Sequence, residues 1–228
     1  LGQDILDINT ADDFMSLVSS DIDFEVSNPN EYQSVRNIRE RKNRLTQDNL
    51  ILASNFNLIK DTRKSAFDND FSIFRLKLEL AGNLLNATSG LIGFDKNDNG
   101  ELEINNVAFS QYAKSEIDYI KLWNIGRNNV IALRTFIGIA IPIGNSSTIP
   151  FSKSFFAGVS NDNRAWTAYN LGPGRSDNNN EFNEANFKLA FSLEHRYKLF
   201  GKLNGAFFLD AGNIWNVLDD VEDPKAIL

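Results

Sequence analysis

The sequence predicts an all-β fold, a transmembrane antiparallel β-barrel. Three observations favour it. Several segments alternate apolar and polar side chains with a period of two, the pattern of a strand with two different faces. These segments are longer than the about five or six residues that are usual in soluble sheets. Short links between them alternate with long polar links, as in barrels that cross a membrane.

Three segments carry this alternation clearly, 71–84, 130–143 and 186–199. Segments 49–60 and 203–215 fit it less perfectly, and 108–123 is long and mixed. In the clearest of them, Leu189, Phe191 and Leu193 share one face, and Lys188 and Glu194 share the other. A single such strand would be explained more simply by a soluble sheet with one solvated face. Several long strands together favour the barrel. The predicted strands are 49–60, 71–84, 108–123, 130–143, 186–199 and 203–215.

The links predict the orientation of the barrel. Links 125–129 and 200–202 are short, whereas 86–107 and 145–185 are long and rich in Asn, Gly and Ser. We therefore expect short periplasmic turns and long extracellular loops. Residues 48–228 form the predicted partial barrel of about six strands. Residues 1–47, acidic and then basic, are predicted to be an extracellular loop region.

Composition excludes several classes of function. The net charge of −7 and the pI near 4.8 disfavour nucleic acid as a partner. The chain has no cysteine and one histidine, which excludes thiolate catalysis and zinc sites built on Cys or several His. No run approaches the about 18 apolar residues that a membrane-spanning helix needs.

No catalytic motif is recognisable. The sequence has no G-x-S-x-G motif and no glycine-rich phosphate-binding loop. The single histidine, His195, falls in the apolar row of its strand, where no Ser–His–acid set can be placed around it. We therefore expect neither enzymatic catalysis nor a cofactor.

About six strands cannot close a transmembrane barrel, since at least about eight are needed. An open edge in lipid would leave unpaired backbone groups, each costing several kcal/mol. We therefore expect the chain to be part of a longer barrel, with further strands on both sides.

Four motifs resemble those of one family. Residues 150–158 read PFSKSFFAG, residues 163–166 read NRAW, residues 171–174 read LGPG, and residues 207–215 read FFLDAGNIW. In this order, with one strand between the loop motifs and the last motif, they resemble the BamA/TamA superfamily of outer-membrane assembly barrels, of the bacterial surface antigen type. Among its members the resemblance is closest to the TamL-like proteins of Bacteroidota.

The resemblance implies a 16-stranded barrel in which loop 145–185 folds back inside. It also implies that Arg164 of the loop meets Asp210 on the inner wall, a contact that we call the loop–barrel lock. The loop motif further comprises Asn163, Ala165 and Trp166, and the strand motif comprises Phe208 and Gly212. The alternation independently places Asp210 on the polar face of its strand, since a carboxylate on the lipid face would be costly.

The loop motif departs from the family pattern V-R-G-F/Y. Asn163 replaces Val or Ile, Ala165 replaces Gly, and Trp166 replaces Phe or Tyr. A backbone that needed positive φ at the Gly position would be strained at Ala165. Either the loop has a different local turn here, or the glycine was not needed for its φ.

The function that the resemblance implies is non-enzymatic insertion or assembly of outer-membrane proteins, or translocation across the Gram-negative outer membrane. The implied partners are nascent outer-membrane proteins or a secreted client, the lipid bilayer, and periplasmic or lipoprotein accessory subunits. Three alternatives stay open: a dedicated secretion pore, a porin-like channel, and a barrel fused to an enzyme domain.

One segment resembles a calcium loop. Asp95, Asn97 and Asn99 supply oxygen ligands at positions 1, 3 and 5, followed by Gly100 at position 6. Position 12 is Asn106 rather than the bidentate Glu, and no flanking helices are expected. Since Asn, Asp and Gly also form ordinary turns, the sequence favours a turn over a metal site.

Overall fold

Six long strands form one antiparallel sheet in a computed structural model that describes residues 46–97, 100–160, 162–176, 183–218 and 226–227. Each long strand pairs with the next long strand along the chain. The strands are β1 (Ala53–Asp61), β2 (Phe71–Ala81), β6 (Tyr112–Gly126), β7 (Asn129–Pro142), β8 (Phe187–Phe200) and β9 (Leu203–Trp215).

The predicted all-β, antiparallel class is confirmed, and the strand bounds agree closely in the second half of the chain. Strand β9 has the predicted bounds, and β7 and β8 are each shifted by one residue. Strands β1 and β6 begin four residues later than predicted. Within the described residues the sheet is open, with β1 and β9 as its edges.

The prediction for the end of β2 was wrong. The alternation extended the strand to Leu84, but β2 ends at Ala81 and a helix, α1 (Asn83–Ile92), follows. The strand stops because Gly82 takes φ +72°, which extended backbone cannot continue. A Cβ at this position would lie 2.6 Å from the carbonyl oxygen of Ser110, so no other residue fits there. Within the part of the chain that the structure describes, no helix is long and apolar enough to span a membrane.

A small second sheet follows α1 in the link between β2 and β6. It consists of β3 (Asp95–Lys96), β4 (Leu102–Ile104) and β5 (Val107–Ala108). The sequence predicted this link as a plain polar loop. Its helix and short strands escaped prediction because such short elements show no sustained periodicity.

The short and long links lie at opposite ends of the sheet, as predicted. Residues 127–128 join β6 to β7, and residues 201–202 join β8 to β9. Asn128 and Gly201 take φ of 63° and 56°, the left-handed backbone that tight hairpins require. The links 82–111 and 143–186 leave the other end; we call residues 143–186 the long loop. Of the predicted extracellular region, residues 1–45 lie outside the described residues.

One face of the sheet carries the charges, and we call it the polar face. In the register, Arg75 of β2 lies opposite Asp118 of β6, and Lys77 lies opposite Glu116. The Arg75 and Asp118 side chains form an ion pair of 2.9 Å. Arg134 of β7 binds the same aspartate, also at 2.9 Å. Cross-strand pairs of opposite charge stabilise the register of these strands.

The other face is apolar and exposed. Leu193 on β8 lies between Leu133 and Leu209 of the neighbouring strands, and Phe207 lies opposite His195. Leu209 remains 62% exposed and Phe207 70% exposed. A contiguous apolar surface of this kind marks a face that contacts lipid or protein rather than water.

The buried core lies at the loop end of the sheet, where the long loop covers the polar face. Ile149, Phe155 and Ala157 of the loop pack with Tyr112 and Ala140 of the sheet. The core is therefore formed between the sheet and the long loop.

Because the apolar face is predicted to contact lipid, Leu209→Lys is expected to reduce the amount of folded full-length protein in the membrane. A lysine on the lipid face costs about 2–4 kcal/mol near the bilayer centre. Ala206→Lys is the control, because Ala206 lies on the polar face of the same strand. The measurement is the abundance of folded protein in the membrane fraction, and equal losses in both variants would contradict the assignment of the faces.

Candidate functional site

The long loop lies against the polar face of the sheet and contacts strands from β2 to β9. Its first part contains a single 3-10 turn, Phe151–Lys153, after which Phe155 forms an isolated antiparallel bridge with Ala185. The two residues exchange backbone hydrogen bonds of 2.7 and 2.9 Å, which close the base of the loop. The part beyond this bridge reaches along the sheet to Asp210.

Arg164 of the long loop forms ion pairs with two carboxylates of the polar face. Its Nε lies 3.2 Å from Oδ2 of Asp210, and its Nη1 lies 2.9 Å from Oε2 of Glu194. The Asp210 side chain is only 8% exposed. The planar guanidinium can bind both carboxylates at once, and such charge-assisted bonds fix direction as well as distance.

Glu194 and Phe208 complete the surroundings of Arg164. The Arg164 Cζ lies 4.2 Å from the centre of the Phe208 ring, a cation–π arrangement. Phe208 and Glu194 are cross-strand neighbours in the register of β8 and β9. Sequence reasoning named Phe208 but missed Glu194. The sequence indicated only that Glu194 lies on the polar face of the 186–199 strand. That position alone does not predict a partner 30 residues earlier in the chain.

Asn163 and Gly212 meet beside this contact. Asn163 is buried at 5% exposure. A Cβ at Gly212 would lie 2.9 Å from Oδ1 of Asn163 and 2.6 Å from the carbonyl oxygen of Leu189. The glycine of the strand motif thus leaves the space into which the loop side chain fits. This is a close-approach role and involves no positive φ.

Ala165 and Trp166 belong to a turn, residues 163–166, that also contains Arg164. Positive φ in this part of the loop falls on Gly158, Val159 and Tyr169, and Ala165 does not have it. The structure therefore needs no glycine at position 165 for its backbone. Trp166 is 40% exposed, and its backbone binds within the loop, since its N–H donates to the carbonyl oxygen of Asn163 at 3.1 Å.

The LGPG segment contacts the end of β9. A Cβ at Gly172 would lie 2.4 Å from Oδ1 of Asn213. The backbone N–H of Gly174 donates to the carbonyl oxygen of Ile214 at 2.7 Å, and Asn213 Nδ2 donates to the carbonyl oxygen of Gly174 at 2.8 Å. The loop therefore contacts β9 at two separated points.

The calcium-like loop has the hydrogen bonds of a turn. Asp95 lies in the short strand β3, and Asn99 lies outside the described residues. Asn97 Oδ1 accepts the backbone N–H of Glu101 at 2.9 Å, and Asn97 Nδ2 donates to the Glu101 carboxylate at 2.8 Å. Contrary to expectation, a helix, α1, precedes this segment. The described residues contain no cluster of three or more acidic or histidine side chains that could hold a metal ion.

The chain is thus built on an antiparallel sheet with one charged face, one exposed apolar face and a loop docked on the charged face. A family model described as the Omp85 superfamily domain matches residues 16–225, so the chain belongs to the Omp85 superfamily. Proteins of this superfamily, which includes the BamA/TamA family, are Gram-negative outer-membrane proteins that insert or translocate other proteins without enzymatic catalysis. No curated protein matches the chain.

Gly212→Ala is expected to destabilise the protein by about 1–3 kcal/mol, because the added methyl would be overpacked against the backbone of β8 and the side chain of Asn163. Thermal unfolding of the full-length protein measures the effect. Gly90→Ala in α1 is the matched control, since a Cβ there meets nothing within 4 Å. It should be neutral or slightly stabilising, because alanine favours helix. Equal unfolding midpoints for the two variants would contradict the close approach at Gly212.

Proposed function

We propose that this chain is part of an outer-membrane assembly or translocation barrel whose long loop is held inside by the loop–barrel lock. The observation that carries the proposal is the contact of Arg164 with two carboxylates on neighbouring strands, Asp210 and Glu194. A single arginine that joins the loop to β8 and β9 at the same time is suited to hold the loop in one position.

The Arg164 contacts are expected to fix the position of the long loop more than to raise the free energy of unfolding. Arg164 is 27% exposed, so water screens part of its attraction to the carboxylates. Asp210 is almost fully buried, and removal of the guanidinium would leave its charge without that partner. Leaving a buried charged group unpaired costs about 1–3 kcal/mol or more. Loss of either residue is therefore expected to displace the loop before it unfolds the sheet.

The proposed action needs no nucleotide and no catalytic group. An incoming strand would be templated by backbone pairing at an open barrel edge, where donors and acceptors lack partners. The docked loop would keep the barrel in the shape that permits this pairing. The partners would be nascent outer-membrane proteins or a secreted client, the outer-membrane bilayer, and accessory periplasmic or lipoprotein subunits.

A finer assignment to the TamL-like proteins of Bacteroidota, with a full barrel of 16 strands, is part of the same proposal. It rests on the PFSKSFFAG, NRAW and LGPG segments of the loop and on the FFLDAGNIW strand. The alternatives are a dedicated secretion pore and a porin-like channel. A channel should conduct ions with little dependence on the Arg164 contacts, whereas an assembly factor should depend on them.

Asp210→Ala in the full-length protein is expected to impair assembly of client proteins and to raise the protease sensitivity of the long loop, because Arg164 loses its buried partner. Asp118→Asn is the matched control: Asp118 is also a carboxylate of the polar face, and its ion pairs are with Arg75 and Arg134 of the sheet. Wild-type activity together with unchanged protease sensitivity in Asp210→Ala would remove the lock from the mechanism.

Depletion of the full-length protein in its native host distinguishes the classes of function. Quantitative proteomics of the outer membrane should show a broad fall in barrel proteins, with lipoproteins as the internal control. Loss of a single secreted cargo would favour the dedicated pore. An unchanged outer membrane would favour the channel and contradict the assembly role.

A further inference from the structure

We propose that Lys188 and Asp162 form a second positioning contact of the long loop, with charges reversed relative to the loop–barrel lock. Here the cation belongs to the sheet and the anion belongs to the loop. The inference deepens the proposed function and rests on it, since it concerns how the same loop is held.

Lys188 of β8 reaches from the polar face to the loop. Its Nζ lies 2.8 Å from Oδ2 of Asp162 and donates to the carbonyl oxygen of Phe156 at 2.7 Å. The two charged side chains are only 13% and 12% exposed, so this ion pair is more buried than the Arg164 contacts. A lysine stem this well covered is held in place, unlike a surface lysine that moves freely in water.

Asp162 also shapes the loop itself. The carboxylate oxygen that binds Lys188 accepts the backbone N–H of Gly158 at 3.1 Å. One oxygen therefore binds both the backbone of Gly158 and the Lys188 side chain of β8. Asn163 and Arg164 follow immediately in the chain. The position of Asp162 therefore determines the position of the Arg164 backbone, from which its side chain extends to Asp210.

An aromatic contact supports the same part of the loop. The Phe155 ring occupies the space above Gly138 of β7, where a Cβ would lie 2.6 Å from the ring. Lys114 of β6 lies 4.3 Å from the centre of that ring and donates to the carbonyl oxygen of Lys153 at 2.8 Å. The segment before Asp162 is thus seated on the sheet through contacts that do not involve Arg164.

The opposite order of charges in the two contacts fixes the orientation of the loop along β8. Lys188 and Glu194 lie on the same face of β8, and they bind Asp162 and Arg164 of the loop respectively. A loop displaced along the strand or docked in the opposite sense would bring Arg164 towards the lysine or Asp162 towards the carboxylates. Such like-charge approaches oppose the wrong positions, so the pair of contacts selects one register.

The test compares Lys188→Met, Asp162→Asn and their combination in the full-length protein in detergent micelles, by hydrogen–deuterium exchange. Methionine keeps the apolar stem, and asparagine keeps an acceptor for Gly158. We expect the amides of Gly158 and Val159 to exchange about tenfold faster in each single variant, since each loses a charge-assisted bond. The double variant should be no worse than either single variant, because the two residues act through one contact.

Two further variants distinguish an effect on the position of the loop from a general loss of protein stability. Lys188→Arg keeps the charge and should restore slow exchange. Lys77→Met is the matched control, because the ion pair of Lys77 is with Glu116 of the sheet. Unchanged exchange in Lys188→Met, additive effects in the double variant, or failure of arginine to restore protection would each overturn the proposal.

Assembly of client proteins is measured in the same variants. If Asp210→Ala abolishes assembly while Lys188→Met changes neither exchange nor assembly, the second contact is refuted and the proposed function stands. If Lys188→Met accelerates exchange and leaves assembly intact, the second contact stands, and the requirement for a positioned loop in the proposed function fails.

Discussion

The charged side chains on the polar face of the sheet need partners of opposite charge. The position of the long loop depends on which of these partners the loop supplies. Some of these charges have their partners within the sheet, as where Asp118 lies between Arg75 and Arg134. For others the opposite charge comes from the loop, which brings Lys153 to Glu79, Asp162 to Lys188 and Arg164 to Asp210. Because unpaired charges on this face are costly, the docked loop completes the electrostatic balance of the sheet.

Close packing between the loop and the sheet depends on glycines in the strands, which have no side chain to obstruct the loop. Gly138 admits the Phe155 ring, and Gly212 admits the side chain of Asn163. Neither glycine has the positive φ that would reveal a conformational need, so the strand pattern gives no sign of these contacts. At each of these two positions, in β7 and in β9, a side chain of the strand would collide with the side chain of the loop. Glycine is therefore required at both.

The sequence predicts the sheet better than the site. Period two is sustained over β7 and β8, whose bounds follow from it to within one residue. The alternation in β9 is less regular, but its predicted bounds are also correct. The end of β2 was missed, because the apolar and polar alternation continues past Gly82, whose positive φ ends the strand. The alternation placed Asp210 on the polar face, but its pairing with Arg164 came only from a family resemblance. Glu194 and Lys188 escaped because their partners follow from long-range docking, which strand periodicity does not encode.

The loop is held by different forces at its base and at its tip. Its base is fixed mainly by apolar burial, where Ile149 and Phe155 are almost completely covered, and by the backbone bridge of Phe155 with Ala185. One ion pair, between Lys153 and Glu79, lies at the base as well. Its tip is held by ion pairs of Asp162 and Arg164. Water can solvate separated charges, but it offers no compensation for exposed apolar groups, so the tip should part from the sheet at lower cost than the base. Movement of the loop is therefore expected to begin at the charged tip, with the apolar base as its fixed point.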